Sequence, residues 1–578
     1  MLRALLSATT RSAKQDDPWD LAGRVAQLEA AHRAHCEQPD LLLVRRAYRI
    51  AEQMHRGQAR KSGEPYITHP IAVATILAEL GVDTATIAAG LLHDTVEDTS
   101  YSLEALRSDF GSEIAVMVDG VTKLDKIHLG SAAEAETFRK LVLTAGRDIR
   151  VMVIKLADRL HNMRTIKFKK RPSQIRIAEA TKDVLIPLAD RLGLYIIKRE
   201  LEDIVLETLE PEVFRHIKEH LGSDTDRKRQ VAAIVPQVRR ALRGYKVAAK
   251  LLDRPRHPYS VYREMQKHPG TGPSDPPRLV VVVDGPATEC YAALGAVHQL
   301  WKPIGGKFRD LIAAKKFNLY QSLHTAVNGP GGVPVEFLIR TREMHQTAEI
   351  GIVAGLGEAG SDPAQVQLPW LRRLLEWQNE IADSGQFLDS LRCDLADQDI
   401  LVFTGHGEQV MVPRASTPVD VAYSAGPAKG HRLIAAYVNG EIAPLSQRLR
   451  DGDSVELVLT NEQPYGPSKQ WLEHAKTPEA QLHINGWFDS QGVDDLESTG
   501  ELPIIPMQRF EDELKAGKNR LWRSLIARGR GLAGDQPLHG VASSLGFPDL
   551  DSLYLALARE KLDPDELAEK LITTVDRF

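Results

Sequence analysis

From about residue 20 to residue 200, apolar residues recur every three to four positions in LLLVRRAYRIAEQMH, PIAVATILAEL, TATIAAGLLHD and IRVMVIKLADRLHNM. This is the spacing of a single buried helix face, so this part of the chain is predicted to be helical almost throughout. Pro70 suits the first turn of a helix that starts just after His69. GLLHDTVEDT (Gly90–Thr99) reads as one continuing helix, with His93 and Asp94 on it and Glu97 and Asp98 one turn later. Near 235 the period changes. PRLVVVVDG is a short β-rich run closed by Asp-Gly, followed by the helical TECYAALGAVHQLW and by strand-like TAVNG and PVEFLIRT around PGG. Strands alternating with helices predict an α/β unit over about 235–350. A small β-rich unit follows over about 397–460. In it DILVFTGHGEQVMVP reads as a hairpin, and LIAAYVNGEIAPL and DGDSVELVLT as further strands. From 465 onward the pattern is polar and helical, closing with DELAEKLITTV.

At 578 residues the chain is too long for one core, and about three to five domains are expected. Charge is nearly balanced, 73 basic against 78 acidic residues for a net −5. That excludes a protein coated in positive charge but leaves room for a local nucleic-acid groove. The N-terminal MLRALLSATTRSAK lacks the apolar run and small-residue cleavage site of a secretory signal. No apolar run approaches the roughly 20 residues that span a bilayer. Cys36, Cys290 and Cys393 lie too far apart for a metal pair or a disulfide framework. A soluble, cytoplasmic protein with no membrane contact is expected, and self-association is left open.

The candidate chemistry lies in the helical segment. On a helix His93 and Glu97 are i,i+4 neighbours, as are Asp94 and Asp98, and IKLADRLHNMR adds Asp158 and Asn162 at the same spacing, with His161 and Arg164 beside them. His69, at the end of KSGEPYITHP, supplies a second histidine. Two histidines and two aspartates suit a borderline or hard divalent ion such as Mn²⁺, Fe²⁺ or Zn²⁺. Burying that many ionisable groups with neither metal nor partner is costly. The plainer alternative is a chance His-Asp doublet and a His-Pro pair that merely caps a helix. Spacing alone leaves open which carboxylates would touch an ion.

RKSGEPYITHP, GLLHDTVEDT, VDGVTKLDK and IKLADRLHNMRT together resemble the N-terminal HD-type hydrolase domain of the long bacterial RelA/SpoT homologues. Those proteins synthesise and degrade the guanosine alarmones ppGpp and pppGpp. The resemblance implies an all-α HD domain over 20–200, followed by a helical linker over 201–234. It also implies Mn²⁺ held by His69, His93, Asp94 and Asp158, with Glu97 and Asp98 positioning or activating water. Arg60 and Lys61 would line the nucleotide pocket, Asn162 would meet the ribose region, and Arg164 would help hold the nucleotide or the site. The implied reaction removes the 3′-pyrophosphate of ppGpp or pppGpp, giving pyrophosphate and GDP or GTP.

RPRHPYSVYREM, YAALGAVHQLWKPIGGKFRDLIAAKKFNLYQSLHTAV and PVEFLIRTREMHQTAEIGI resemble the same family's synthetase domain, an α/β nucleotidyltransferase-like unit placed here at 235–352. Tyr320 and His324 match the acceptor-nucleotide stretch, Glu336 a catalytic carboxylate, and Arg254, Arg256, Lys307 and Arg309 the basic set. The matches are substantial, but the departures matter more for activity. Where the family has an Asp and then an Arg in a DIxDLxGxRV-like motif, this chain reads HPGTGPSDPPRLVVVVDG, with Asp275 in a Pro-rich turn and LVVVV offering neither residue. GRxK has become DRPR at 253–256, Leu338 replaces a glutamine, and GIVAGLGEAG lacks a histidine. Synthetase activity is therefore expected to be lost, because phosphoryl transfer depends on the ion's carboxylates.

After a helical linker at 353–396, residues 397–460 resemble the β-grasp TGS domain, which contacts deacylated tRNA in ribosome-bound relatives. The matching AYSAGPAKGH lacks the family histidine but keeps Lys429, His431 and Arg432. Residues 480–578 resemble the family's helical domain through WFDSQ and FEDELKAGKNRLWRSLIARGRGL, and a truncated regulatory region without a cysteine cluster is expected. A hydrolase of other 3′-phosphorylated nucleotides, a bifunctional enzyme and a non-catalytic nucleotide or tRNA sensor stand as alternatives.

Overall fold

The computed structural model describes residues 19–36, 38–125, 143, 146–223, 225–270, 272–313, 315–316, 318–356, 399–405, 407–460, 466–491, 506–528, 538, 541, 550–558 and 562–575. The 353–396 linker expectation therefore falls almost entirely outside the described residues, as do Cys393 and the end of VDGVTKLDK. The chain divides into two compact units, Met1–Asp397 and Gln398–Phe578.

The first unit begins with helices α1 (Leu21–His35), α2 (Leu41–Met54), α3 (Thr68–Leu80), α4 (Thr84–Leu92), α5 (Thr95–Asp98), α6 (Leu103–Asp125, interrupted at Gly111) and α7 (Arg150–Arg164). Then come α8 (Arg171–Ala180), a π-helical turn (Thr181–Leu185), α9 (Ile186–Arg191) and α10 (Tyr195–Leu209). Side-chain caps start several of them: the Asp40 carboxylate accepts from Leu42 N at 3.1 Å and Leu43 N at 3.0 Å, and Asp83 accepts from Thr86 N at 2.8 Å. α3, α4 and α7 are buried along most of their length, including Ile71, Leu77, Leu91, Leu92, Ile154 and Leu156. At Gly90 a Cβ would stand 2.5 Å from Leu77 Cδ1, so the missing side chain lets α4 lie close on α3.

Two expectations are corrected here. α3 starts at Thr68 rather than after His69, so His69 lies inside the first turn and Pro70 follows it; the Thr68 hydroxyl donates to Pro65 O at 2.8 Å. The helix predicted to run through GLLHDTVEDT breaks at His93 and Asp94, between α4 and α5. His93 Nδ1 bonds Gly90 O at 2.8 Å and the Thr95 hydroxyl donates to Leu92 O at 2.6 Å. These side chains compete for the carbonyls that Asp94 N–H and Val96 N–H would take in a continuous helix.

Helices α11 (Pro211–Ser223) and α12 (Thr225–Gly244) lead into a five-stranded sheet. It comprises β1 (Ala249–Asp253), β2 (Arg278–Val283), β3 (Arg309–Asp310), β4 (Leu323–Asn328) and β5 (Pro334–Thr341), in the order β1-β2-β5-β4-β3. β2 and β5 run parallel, pairing Val281 with Ile339, and the other neighbours are antiparallel. Helix α13 (Pro258–Lys267) follows β1, and α14 (Ala287–Leu300) crosses between β2 and β3. Leu279–Val283 is buried throughout, as an uninterrupted apolar run requires. Ile234, Val238 and Leu242 of α12 share its core with Ala293 and Val297 of α14. α15 (Arg342–Ile350) and α16 (Val353–Leu356) close the described part of this unit.

The sheet region meets the helical region at Gly193 and Gly351. Gly351 has φ +54°, and a Cβ there would lie 2.0 Å from Leu192 O. Ile352 N donates to Leu192 O at 3.0 Å, Asn318 Nδ2 to Asp190 O at 3.0 Å, and His257 Nε2 pairs with Glu202 Oε2 at 2.9 Å.

In the second unit, β6 (Asp399–Thr404) and β7 (Gln409–Pro413) form the expected hairpin. β8 (Leu433–Val438), β9 (Glu441–Ala443) and β10 (Ser454–Leu459) complete a sheet of order β7-β6-β10-β8-β9 with β6 and β10 parallel. α17 (Pro418–Ser424) packs beside it, its buried Asp420 accepting from Thr417 N at 2.7 Å and Thr477 N at 2.6 Å. Helices α18 (Pro427–Gly430), α19 (Pro478–Gln491), α20 (Pro506–Ala527), α21 (Leu550–Ala558) and α22 (Pro564–Val575) follow. Leu521, Leu525, Leu553, Leu557 and Leu571 form a helical core among the last three. Among the described residues, no helix is long and apolar enough to cross a membrane.

Candidate metal centre and neighbouring cleft

α3, the α4–α5 break and α7 bring His69, His93, Asp94 and Asp158 together. His69 Nε2 lies 3.2 Å from Asp158 Oδ1 and 3.5 Å from Asp94 Oδ2, and His93 Nε2 lies 3.0 Å from Asp94 Oδ1. Both histidines are almost fully buried, at 2% and 1% exposure.

A ring of polar groups orients these four. Lys155 Nζ donates to Asp158 Oδ2 at 2.8 Å, and Asn162 Nδ2 donates to Asp158 Oδ1 at 2.6 Å. The Tyr66 hydroxyl lies 2.8 Å from Asp94 Oδ2 and 3.0 Å from Asp98 Oδ2. Its ring stacks on His55 with centroids 4.6 Å apart. His69 Nδ1 meets His161 Nδ1 at 2.7 Å. Arg60 Nη2 donates to Asn162 Oδ1 at 2.9 Å and lies over the Tyr66 ring, while Lys61 is exposed beside it. Glu97 and Asp98 are exposed on α5. Arg164 makes a paired contact to Glu200 of α10, at 2.6 and 2.7 Å.

The donor set suits a divalent cation. His93 Nδ1 is engaged with Gly90 O, which turns its Nε2 toward the acidic groups; that atom is buried and has no hydrogen-bond partner despite its 3.0 Å approach to Asp94. Two carboxylates facing two imidazoles leave negative charge that protons or a cation must balance. Without a cation, burial alone would lower the His93 pKa, but the charges of Asp94 and Asp158 overcome it and push it up to about 9. Burial likewise works against ionised Asp158, yet Lys155 and His69 hold its carboxyl well below the usual range. The group His69, His93 and Asp94 has ligand atoms close enough to share one ion.

A cavity of about 510 Å³ opens beside the sheet. Lys198, Arg254, Arg278, Lys307, Arg309 and Lys316 line it with Tyr320, His324, Asp190 and Glu336. Its carboxylates are already paired: Asp190 with Lys198 at 2.7 Å, and Glu336 with Arg256 at 2.9 Å and Arg278 at 2.6 Å. Arg254 bonds Glu349 and lies 4.4 Å from the Tyr195 ring centre. The Tyr320 hydroxyl meets His324 Nε2 at 2.8 Å, and burial followed by the charges of Lys316 and Arg340 pushes His324 down to about 3. Arg278 heads β2 and grips Glu336. Asp275 is buried off the strand, bound to Arg227 at 2.8 Å and accepting from Arg256 N at 3.0 Å.

Three family models match in order: the HD domain at 47–195, the region found in RelA/SpoT proteins at 253–357, and the TGS domain at 400–459. The chain is 42% identical over 562 residues to the bifunctional (p)ppGpp synthase/hydrolase RelA of Mycobacterium tuberculosis, covering 94% of this chain and 74% of that protein. The chain belongs to the RelA/SpoT family. It is also 36% identical to the guanosine-3′,5′-bis(diphosphate) 3′-pyrophosphohydrolase of Aquifex aeolicus, with 91% and 73% coverage. Against a GTP pyrophosphokinase of Streptomyces coelicolor the identity is 43%, over 93% of this chain but only 64% of that protein's length. RelA/SpoT relatives thus carry synthetase, hydrolase and bifunctional names.

Within this RelA/SpoT framework the sequence reading overlooked Tyr66, Lys155 and Arg278. Tyr66 and Lys155 each stand three residues before a candidate ligand, the one signal that could have marked them. In the TGS unit Lys429 is exposed, Arg432 Nε donates to Thr460 O at 2.7 Å, and His431 packs against the Tyr423 ring.

Proposed function

We propose that this chain hydrolyses the 3′-pyrophosphate of ppGpp and pppGpp at its HD site, with Mn²⁺ as the ion, and that its RelA/SpoT region does not transfer pyrophosphate. The observation that carries the reading is a contrast between the two sites. At the HD site, His69, His93 and Asp94 offer ligand atoms close enough to share one ion, with Asp158 Oδ1 3.2 Å from His69 and His93 Nε2 buried without a hydrogen-bond partner. In the cleft, Glu336 is held by two arginines, and β2 contributes no carboxylate.

His69, His93, Asp94 and Asp158 would hold the ion, whose Lewis acidity makes water a usable nucleophile near neutral pH and polarises the phosphoryl oxygen. Water replaces the 3′-oxygen at phosphorus, so pyrophosphate forms and the nucleoside 3′-hydroxyl leaves protonated. Glu97 and Asp98 position that water and receive its proton, with Tyr66 holding Asp98 beside Asp94. Arg60 and Lys61 balance the substrate's phosphate charge, for which guanidinium and ammonium groups are suited. Asn162 faces the ribose region while it orients Asp158. Arg164 acts through Glu200, tying α7 to α10.

The test is to incubate purified protein with ppGpp and Mn²⁺ and resolve the products. Pyrophosphate and GDP are expected, and their absence overturns the reading. A competition between ppGpp and pppApp or NADPH checks the alarmone preference, and equal rates would remove it. A bifunctional enzyme is the second reading, favoured by the match over 253–357 and by relatives named GTP pyrophosphokinase.

A further inference from the structure

The two candidate histidine ligands are oriented by different kinds of partner. An imidazole can bind an ion through one nitrogen only if the other nitrogen carries the hydrogen, and that hydrogen needs an acceptor. For His93 the acceptor is the backbone carbonyl of Gly90, 2.8 Å from Nδ1, within its own helix. For His69, near the start of α3, the atom facing Nδ1 is Nδ1 of His161, at 2.7 Å. At that separation one hydrogen is shared between the two rings, and its position decides what His69 Nε2 can do. With the hydrogen on His69, Nε2 is a lone pair that looks toward Asp158 Oδ1 at 3.2 Å and Asp94 Oδ2 at 3.5 Å. With the hydrogen on His161, Nε2 carries its own hydrogen and cannot ligate.

We propose that His161 is a positioning residue for His69: its Nδ1 accepts the Nδ1 hydrogen of His69 and thereby aims the Nε2 lone pair into the metal site. This rests on the HD-site reading above. The helix period explains how α7 supplies both parts. His161 follows Asp158 by three residues, so one face of α7 presents a carboxylate to the ion and, one turn later, an acceptor to the ligand on α3. His69 is only 2% exposed, so bulk water is a poor substitute for the lost acceptor. The rings are 4.9 Å apart at 40°, in hydrogen-bonding rather than stacked contact.

The experiment measures Mn²⁺ affinity of the full chain by the paramagnetic resonance signal of free Mn²⁺, without substrate. His161→Leu, which removes the acceptor at similar volume, is expected to weaken binding about 10–100-fold. His161→Asn, whose Oδ1 can stand near the position of Nδ1, is expected to stay within about threefold of wild type. Melting of the metal-free proteins controls for folding. Should His161→Leu melt below the assay temperature, His161→Phe, a flat ring with no acceptor, replaces it. Wild-type affinity in the acceptor-less variant, or equal weakening in His161→Asn, overturns the inference. Asp94→Ala separates the two levels: if it loses Mn²⁺ while His161→Leu keeps it, the metal site stands and only the role of His161 falls. No Mn²⁺ binding by wild type overturns both.

Discussion

On Asp158 a single carboxylate serves several neighbours, meeting Lys155 through Oδ2 and both Asn162 and His69 through Oδ1. Replacing it removes a ligand and one partner of the buried Lys155 ammonium, so Asp158→Ala should lower pyrophosphate release at least about 100-fold and abolish tight Mn²⁺ binding. Asp94→Ala should do the same. Glu97→Ala should slow turnover yet retain more metal than either, since Glu97 is exposed on α5; equal metal loss in all three would refute this division of roles. Tyr66→Phe keeps the ring stacked on His55 but removes the hydroxyl between Asp94 and Asp98. A roughly 10–100-fold fall in turnover is expected, measured as kcat for ppGpp hydrolysis at saturating Mn²⁺. Residue types that are unusual beside apolar runs pointed to this segment, and the family resemblance, not spacing, proposed His69, His93, Asp94 and Asp158 as the ligands. Neither found Tyr66 or Lys155, which look like ordinary helix-flanking residues until the partner helix is in place.

At the scale of elements, the α4–α5 break shows why periodicity alone misread GLLHDTVEDT. Every residue there tolerates helix, and the interruption comes from side chains that bond the carbonyls of the preceding turn. The Gly193–Gly351 junction is another contact that no pattern announces. Gly351→Ala would place a Cβ 2.0 Å from Leu192 O at φ +54°, where backbone must shift. A loss of about 2 kcal/mol or more is expected in urea unfolding, and an unchanged midpoint would contradict the packing described. Glu349 of α15 ties Arg254 to the buried Arg340. Burial raises its pKa, but Arg254 and then Arg340 outweigh burial and hold the carboxyl below the usual range. Its folded value being depressed, its stabilisation is full above the unfolded value and disappears as pH falls through the folded one. Wild type should therefore melt well above Glu349→Gln at pH 7, and the gap should narrow below about pH 4. A gap that widens in acid would show the sign is wrong.

For the whole molecule, the decisive question is whether the chain works in one direction. Incubated with labelled ATP, GDP and Mg²⁺, Asp94→Ala protein, which cannot destroy the product, should accumulate no ppGpp. Accumulation would mean that another carboxylate serves the ion, and the pseudo-synthetase reading would fall. The sequence by itself determined the order of the HD, RelA/SpoT and TGS regions, the helical character of the first and the strands of the other two. Those follow from local periodicity and from residues whose chemistry is conspicuous one at a time. Only the tertiary structure decided that His161 faces His69 across 92 positions, that Arg256 and Arg278 close on Glu336, and that Asp275 is spent on Arg227. Hydrogen bonds and ion pairs act over about 3 Å, and which side chains come that close depends on how helices and strands distant in sequence pack, a relation that no window of consecutive residues contains.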